Sequence, residues 1–210
     1  IAQEDDPTIC FAPGMVRDAF VYMVRNYYEG AYPDWHLGPS MRKYAGNARI
    51  RDGMDFNKRV VSRMQELGWQ AEPEVTITKI LRKRFERNFG DVDVLAWDLR
   101  SKRILIIECK DLQFKKTYGE IGEQLSDFRG EGTDGKRDLL RKHLDRVELL
   151  RHHRAELQNY LGLTGIATVE SHFVFSSPVP MQFVNGPIRN AAQLHTYDDL
   201  GRLSLFQQPS

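Results

Sequence analysis

The 210-residue chain has little cysteine: Cys10 and Cys109 alone. Two thiols cannot build a disulfide framework. Cys109 lies in an apolar run, where a reduced, buried thiol is expected, and a reducing, cytoplasmic setting fits that usage. Long apolar runs are also missing. No stretch approaches the ~18 residues of a membrane span, so no membrane role is expected. Residues Ile1 to Asp6 are polar and acidic, which argues against a secretory signal there. No glycine-rich loop of nucleotide-binding spacing precedes a helix. Despite His152-His153, His172 and His195, no Cys/His spacing suits zinc. Internal repeats and low-complexity tracts are absent. The formal net charge is only +1, so bulk charge announces no polyanionic partner, and only the distribution of charge is informative.

What is present is a mixed α/β pattern. Residues 13–28 read as a helix, with Pro13 in its first turn and Val16, Ala19, Phe20, Met23, Val24 and Tyr27 at helical spacing. Residues 29–51, with Gly30, Pro33, Gly38, Pro39 and Gly46, read as a connecting segment. Helical periodicity resumes over 53–67 through Phe56, Val60, Met64 and Leu67. Three strands are then expected, at 74–78, 91–97 and 103–109. The last is the most apolar, as suits a central strand covered on both faces. The short polar link Asp98 to Lys102 favours a hairpin. Helices at about 119–129 and 136–161 follow, the longer with Leu140, Leu144, Val147, Leu150, Leu157 and Leu161 on one stripe. A strand at about 166–175 closes the pattern, which predicts a central sheet with helices on its faces. The expected division is an N-terminal helical extension over 1–52, a core over 53–180 and a C-terminal tail over 181–210.

The chemistry sits where the apolar run Ile104-Leu105-Ile106-Ile107 enters Glu108-Cys109-Lys110. Strand residues two apart share a face, so Glu108 and Lys110 point together, as do Asp91 and Asp93. If the two strands form a hairpin, carboxylates from both meet beside Lys110. Charge in apolar surroundings needs compensation from partners, solvent or a metal. Oxygen donors suit Mg²⁺, with the Cys109 carbonyl as a further ligand. A bound metal would polarise a phosphate and acidify a water, and Lys110 could orient that water. Glu108 and Lys110 alone read equally well as a buried ion pair serving the fold. Two more acids facing that pair favour the catalytic reading, because like charges raise one another's pKa.

Gly90-Asp91-Val92-Asp93-Val94-Leu95 followed by Ile106-Ile107-Glu108-Cys109-Lys110 resembles the signature of the PD-(D/E)XK nuclease superfamily, and within it the Mrr-like restriction and repair nucleases. The resemblance covers roughly residues 53–175. It implies a restriction-endonuclease-like core of helix, three strands, helix and strand. It also implies Asp93 and Glu108 as metal ligands, Lys110 as the catalytic lysine, and Mg²⁺ as cofactor with Mn²⁺ able to substitute. Relatives of this kind often carry a Glu on the preceding helix. Here Asn57 holds that place, with Asp55 and Glu66 as alternatives. Gln124 and Glu120 lie on the following helix, where such relatives place an accessory polar residue; Gln124 is the candidate, and an ordinary solvated helix face is the competing reading.

Lys79, Arg82, Lys83, Arg84 and Arg87 crowd one segment between strands and suit phosphate contacts with DNA. From Lys136 to Arg154 the basic residues read equally as a DNA-facing flank or as a solvated helix face with pairs such as Arg141 and Asp145. Tyr32, Trp35 and Tyr44 could stack bases or cover a core edge. The leading expectation is a metal-dependent DNA endonuclease of restriction, repair or phage defence. The alternative is a catalytically weakened module that binds nucleic acid or a protein partner.

Overall fold

A computed structural model of the chain describes residues 12–28, 37–112, 117–133 and 136–201. Cys10, Tyr32 and Trp35 lie outside the described residues. In chain order the elements are α1 (Pro13–Tyr28), α2 (Pro39–Glu66), β1 (Gln70–Thr76), α3 (Ile77–Leu81), β2 (Asp91–Asp98), β3 (Arg103–Lys110), α4 (Tyr118–Ser126), β4 (Gly132–Thr133), β5 (Lys136–Arg137), α5 (Leu139–His152), α6 (Arg154–Leu161), β6 (Thr168–Phe175), a 3₁₀ turn (Pro180–Gln182), α7 (Pro187–Ala191) and β7 (Gln193–Thr196). The chain divides into two compact units between Asp52 and Gly53, inside α2. Among the described residues, no helix is long and apolar enough to cross a membrane.

In the first unit, Tyr27 of α1 stacks on Tyr44 of α2 with ring centroids 4.9 Å apart. The rest of the stripe expected to pack α1 stays open: Val16, Phe20 and Met23 are each at least half exposed. Residues 39–51, expected as a connection, are helical. Pro39 suits a first helical position because its missing N–H is not needed there, and the glycines at 46 and 53 do not stop the helix.

The second unit is an α/β fold whose five-stranded mixed sheet has the order β1-β2-β3-β6-β7. β1, β2 and β3 are antiparallel, while β6 and β7 run parallel to β3. The Asp98 carboxylate secures the β2–β3 hairpin by accepting from the backbone N–H groups of Arg100 and Ser101. β3 is covered on both faces. Ile104 and Ile106 pack with Val147 and Leu150 of α5 and with Leu157 and Leu161 of α6. Leu105, Ile107 and Cys109 pack with Phe56, Val60 and Met64 of α2.

Three expected elements differ in their bounds. Ile77 and Thr78, expected in a strand, start α3, because the Thr76 side chain accepts from the Lys79 N–H and caps a helix there. The single helix expected over 136–161 is two, broken at His153. α5 begins only where Asp138 accepts from the Arg141 N–H at 2.7 Å. Beyond residue 180 the chain is partly built into the sheet, since β7 pairs with β6 as its fifth strand.

One irregularity positions the site. On β2, Leu95 and Trp97 face α5, and Val94 and Ala96 face α2, yet Val92 joins Leu95 and Trp97. On β1, Ala71 and Val75 likewise fall on opposite faces. Both strands therefore turn over between Pro73↔Val94 and Val75↔Val92, the pairs on either side of Glu74 and Asp93. Pro73 has no N–H to donate, and Glu74 takes a left-handed φ of 53°. Asp91 and Asp93 flank the start of this kink and both line one cleft. Glu74→Gly is expected to leave stability unchanged or raise it by up to about 1 kcal/mol, because glycine accepts that φ without strain. Glu74→Val is expected to cost more than about 1 kcal/mol in urea melts, since a β-branched residue disfavours positive φ. Equal stability of the two variants would refute the strained kink.

Candidate active site

The kink changes what Asp93 can reach. The β2–β3 ladder runs from Asp98↔Arg103 to Val94↔Ile107 and is not continued to Asp93 and Glu108. There the Asp93 side chain takes over from the backbone, and its Oδ2 accepts the Cys109 N–H at 2.8 Å. Glu108 and Lys110 keep the same-face relation expected of them, on the α5 side. Lys110 Nζ lies 2.7 Å from Glu108 Oε1 and 3.8 Å from Asp93 Oδ2. The expected trio therefore meets at the end of β3.

Two residues of α5 complete the cluster. Arg146 donates to Glu108 Oε2 at 2.6 Å and also to the Asp91 carbonyl, filling the gap where β2 leaves β3. His143 Nδ1 lies 3.5 Å from Glu108 Oε2, and its Nε2 lies 3.0 Å from Ser171 Oγ on β6. Glu108 can only accept, so Nδ1 carries the proton and the serine donates to Nε2. Sequence reasoning missed both as site residues. The available signal was position: His143 and Arg146 sit beside Leu140, Val147 and Leu150 on the stripe that faces the sheet, where an unpaired charge would be costly.

The two carboxylates are pushed apart in acidity. Burial first and the Glu108 charge second raise Asp93 to about 6, against smaller opposing effects from Lys110, the Cys109 N–H and Arg146. Burial also pushes Glu108 up, but Lys110, the His143 hydrogen bond and Arg146 outweigh it and hold the carboxyl well below the usual range. Burial pulls Lys110 down, but Glu108 and Asp93 more than compensate, and it stays protonated above the ordinary lysine value. Burial lowers His143. The Cys109 thiol packs on the α2 face and is raised by burial, so it is no nucleophile; only its backbone belongs to the site.

The cluster opens into a cleft of about 330 Å³. Its lining comprises the acids Asp91, Asp93 and Glu108, the cations Arg87, Arg137, Lys142 and Arg146, and Asn88, Phe89 and Gly90 of the loop before β2. Gly90 turns the chain into β2 at a φ of 76°, which a side chain would resist.

The other expected site residues lie elsewhere. Asn57 is buried on α2 and donates to Glu74 Oε1 at 3.4 Å, outside the cleft lining. Asp55 and Glu66 pair with Lys58 and Arg63 on the same helix. Gln124 is buried on α4, with no hydrogen-bond partner for its Oε1 among the described residues, and does not line the cleft. Glu120 forms a capping box with Thr117. Of the basic segment, Arg87 alone lines the cleft. Lys79 pairs with Glu72 and Lys83 with Glu156, while Arg82 and Arg84 are exposed. His172 and His195 stack with centroids 5.4 Å apart on β6 and β7, and among the described residues no three His, Cys, Asp or Glu side chains converge as a metal cage.

Fold and site define an α/β protein with a buried acid–base cluster at the end of its central strand, opening into a cleft with a cationic wall. The family model for anti-phage protein Upx-like matches residues 1–200, and the chain belongs to that family. No curated protein and no solved structure matches it.

The opposite shifts of the two acids carry opposite stability signs. Asp93 titrates near 6 when folded and at about 3.9 when unfolded. Its ionisation therefore costs stability, fully above about pH 6 and not at all below about pH 4. Asp93→Asn keeps an acceptor for the Cys109 N–H and removes that cost. It is expected to be more stable than wild type at neutral pH in urea melts, with the gap closing as pH falls through that window. Glu108→Gln leaves Lys110 and Arg146 short of a partner and is expected to cost about 3–5 kcal/mol at neutral pH. A destabilised Asp93→Asn at neutral pH would contradict this account.

Proposed function

We propose that this chain is a magnesium-dependent nuclease that hydrolyses DNA phosphodiester bonds in phage defence. The observation that carries the reading is the convergence on Lys110 of Asp93 and Glu108, two acids that line a cleft also lined by Arg87, Arg137, Lys142 and Arg146. Membership of an anti-phage family is compatible with that role. The succession α2, β1, β2, β3, α5, β6, with β6 parallel to β3, supports a restriction-endonuclease-like core.

The donor set fits a hydrated magnesium rather than a closed protein cage, because that ion takes one or two carboxylates and keeps several waters. Asp93 and Glu108 would hold it, with the Cys109 carbonyl as a further oxygen donor, since a strand residue sends its N–H and C=O to the same edge. The chemistry such an ion would supply there is polarisation of a phosphoryl oxygen and acidification of a water, and manganese could substitute. Lys110, kept protonated by both acids, can orient the attacking water and offset charge on the phosphoryl oxygens. Arg146 offsets charge from the opposite side of Glu108. Ser171 orients His143, which in turn holds the Glu108 carboxylate in place.

A second reading is a catalytically weakened module that binds nucleic acid or a protein partner. It is favoured by Glu108 giving both oxygens to Lys110 and Arg146, and by Asn57 in the place of a helix acid. Calorimetric titration with Mn²⁺ separates the two, because a weakened site takes up little metal.

Plasmid DNA incubated with Mg²⁺ or Mn²⁺ is expected to be cut by wild type and not by a folded Lys110→Ala variant. Cleavage is expected to fall as pH drops through about 6, where Asp93 takes up a proton and ceases to be an anionic donor. Equal cutting by wild type and Lys110→Ala would remove the assignment.

A further inference from the structure

Beside Arg146 on α5, Asp145 gathers three guanidinium groups from three parts of the chain. Its Oδ2 accepts from Arg87, in the loop before β2, and from Arg137 of β5 at 2.8 Å. Its Oδ1 accepts from Arg141 at 2.6 Å. The Asp145 side chain is 8% exposed, while those of Arg87, Arg137 and Arg141 remain 41%, 27% and 34% exposed. One buried carboxylate thus holds three cations that stay open to solvent. Arg141 spends further charge on Glu148 at 3.1 Å. Arg87 and Arg137 instead line the cleft together with exposed Lys142.

Like charges repel, and with Glu148 taken by Arg141, Asp145 and Glu148 together leave the three guanidiniums one negative charge short. Each guanidinium presents five N–H donors, of which Asp145 engages few. Arg87 is further fixed by the Phe89 ring, whose centroid lies 4.6 Å from its guanidinium carbon. A preorganised arginine fork of this kind matches phosphate geometry better than mobile lysines do. The cleft lining thus carries both signs, Asp91, Asp93 and Glu108 beside Arg87, Arg137, Lys142 and Arg146.

We infer that Arg87, Arg137 and Lys142 form a binding wall for the phosphate backbone of a nucleic acid, with Asp145 as the residue that positions the two arginines. The inference rests on the nuclease reading for its choice of polyanion, but its test needs no cleavage. Binding of a short fluorescein-labelled DNA oligonucleotide to the full chain is followed by fluorescence anisotropy in EDTA over a range of salt. Arg137→Ala/Lys142→Ala is expected to bind about tenfold more weakly, and the slope of log K against log salt is expected to fall by about one for each phosphate no longer neutralised. A charge-matched control, Lys58→Ala/Arg189→Ala, removes two exposed cations outside the cleft and is expected to bind like wild type.

Asp145→Asn discriminates further. It makes the chain more positive, so general electrostatic attraction predicts tighter binding, whereas loss of arginine positioning predicts weaker binding. Its folding is checked by a thermal melt, and the double variant carries the test if it unfolds. Wild-type affinity and salt slope in Arg137→Ala/Lys142→Ala, or an equal loss in the control, overturns the wall. The two proposals fail separately. A chain that binds through the wall but cuts no DNA under any divalent metal keeps the wall and loses the nuclease reading. Normal binding and cutting by Arg137→Ala/Lys142→Ala does the reverse.

Discussion

Glu108 is the constraint on which the rest of the site depends. An almost fully buried carboxylate at the end of the most apolar strand cannot stand alone, because isolated charge in such surroundings is costly by several kcal/mol, roughly. Its two oxygens are answered from two directions, by Lys110 on the same strand and by Arg146 from α5. The second contact determines where α5 lies. Arg146 also donates to the Asp91 carbonyl, so it closes the opening that the parted β2 and β3 would otherwise leave. Once α5 is fixed there, Asp145 beside Arg146 faces the loop before β2 and the short strand β5, and the arginines converge on it. A single buried anion thereby organises both the acidic floor and the basic wall.

Asp93 is held in the opposite manner. It accepts one backbone N–H and stands farther from Lys110 than Glu108 does, so burial and its neighbour's charge are left only partly offset. Environments that drive two carboxyl groups apart in acidity are characteristic of acid–base and ion-binding sites. An acid kept at a cost to stability has a use that stability does not explain. Glu108, by contrast, is satisfied within the folded chain. The same pair thus combines one carboxylate that the fold needs and one that it only tolerates.

Much of the fold was legible because it followed from periodicity. β2, β3 and their hairpin appear at the expected places, and the doubly covered β3 was readable from its unbroken apolar run. The misreadings have local causes. Helix α2 runs through residues 39–51 in spite of one proline and one glycine, since Pro39 occupies a permitted first position and Gly46 does not prevent helix. β1 ends early because Thr76 caps a helix, a choice that a β-branched run does not reveal. The break at His153 carries no proline or glycine to announce it. Within the site, Asp93, Glu108 and Lys110 could be found because strand spacing brings them together. His143 and Arg146 were signalled only by their place on the apolar stripe of α5, and their partners, like that of Arg137, depend on how α5 and β5 dock. The kink at Glu74 and Asp93 was equally hidden: only the swapped faces of Val92 and Val94 disclose it, and those faces exist only in three dimensions.

The contact between Arg146 and Glu108 bears on how the two readings of function divide. If the guanidinium is a permanent structural partner, the acidic floor has a single carboxylate, Asp93, left to hold a cation, and the cleft is better suited to gripping a backbone than to cutting it. If Arg146 yields one oxygen of Glu108, both acids become available, while the guanidinium stays close enough to offset phosphate charge. Geometry separates the two acids. Glu108 is answered at close range by both Lys110 and Arg146. Asp93 stands 3.8 Å from Lys110, and burial first, then the Glu108 charge, disfavours its ionised form. An added cation would therefore gain most at Asp93.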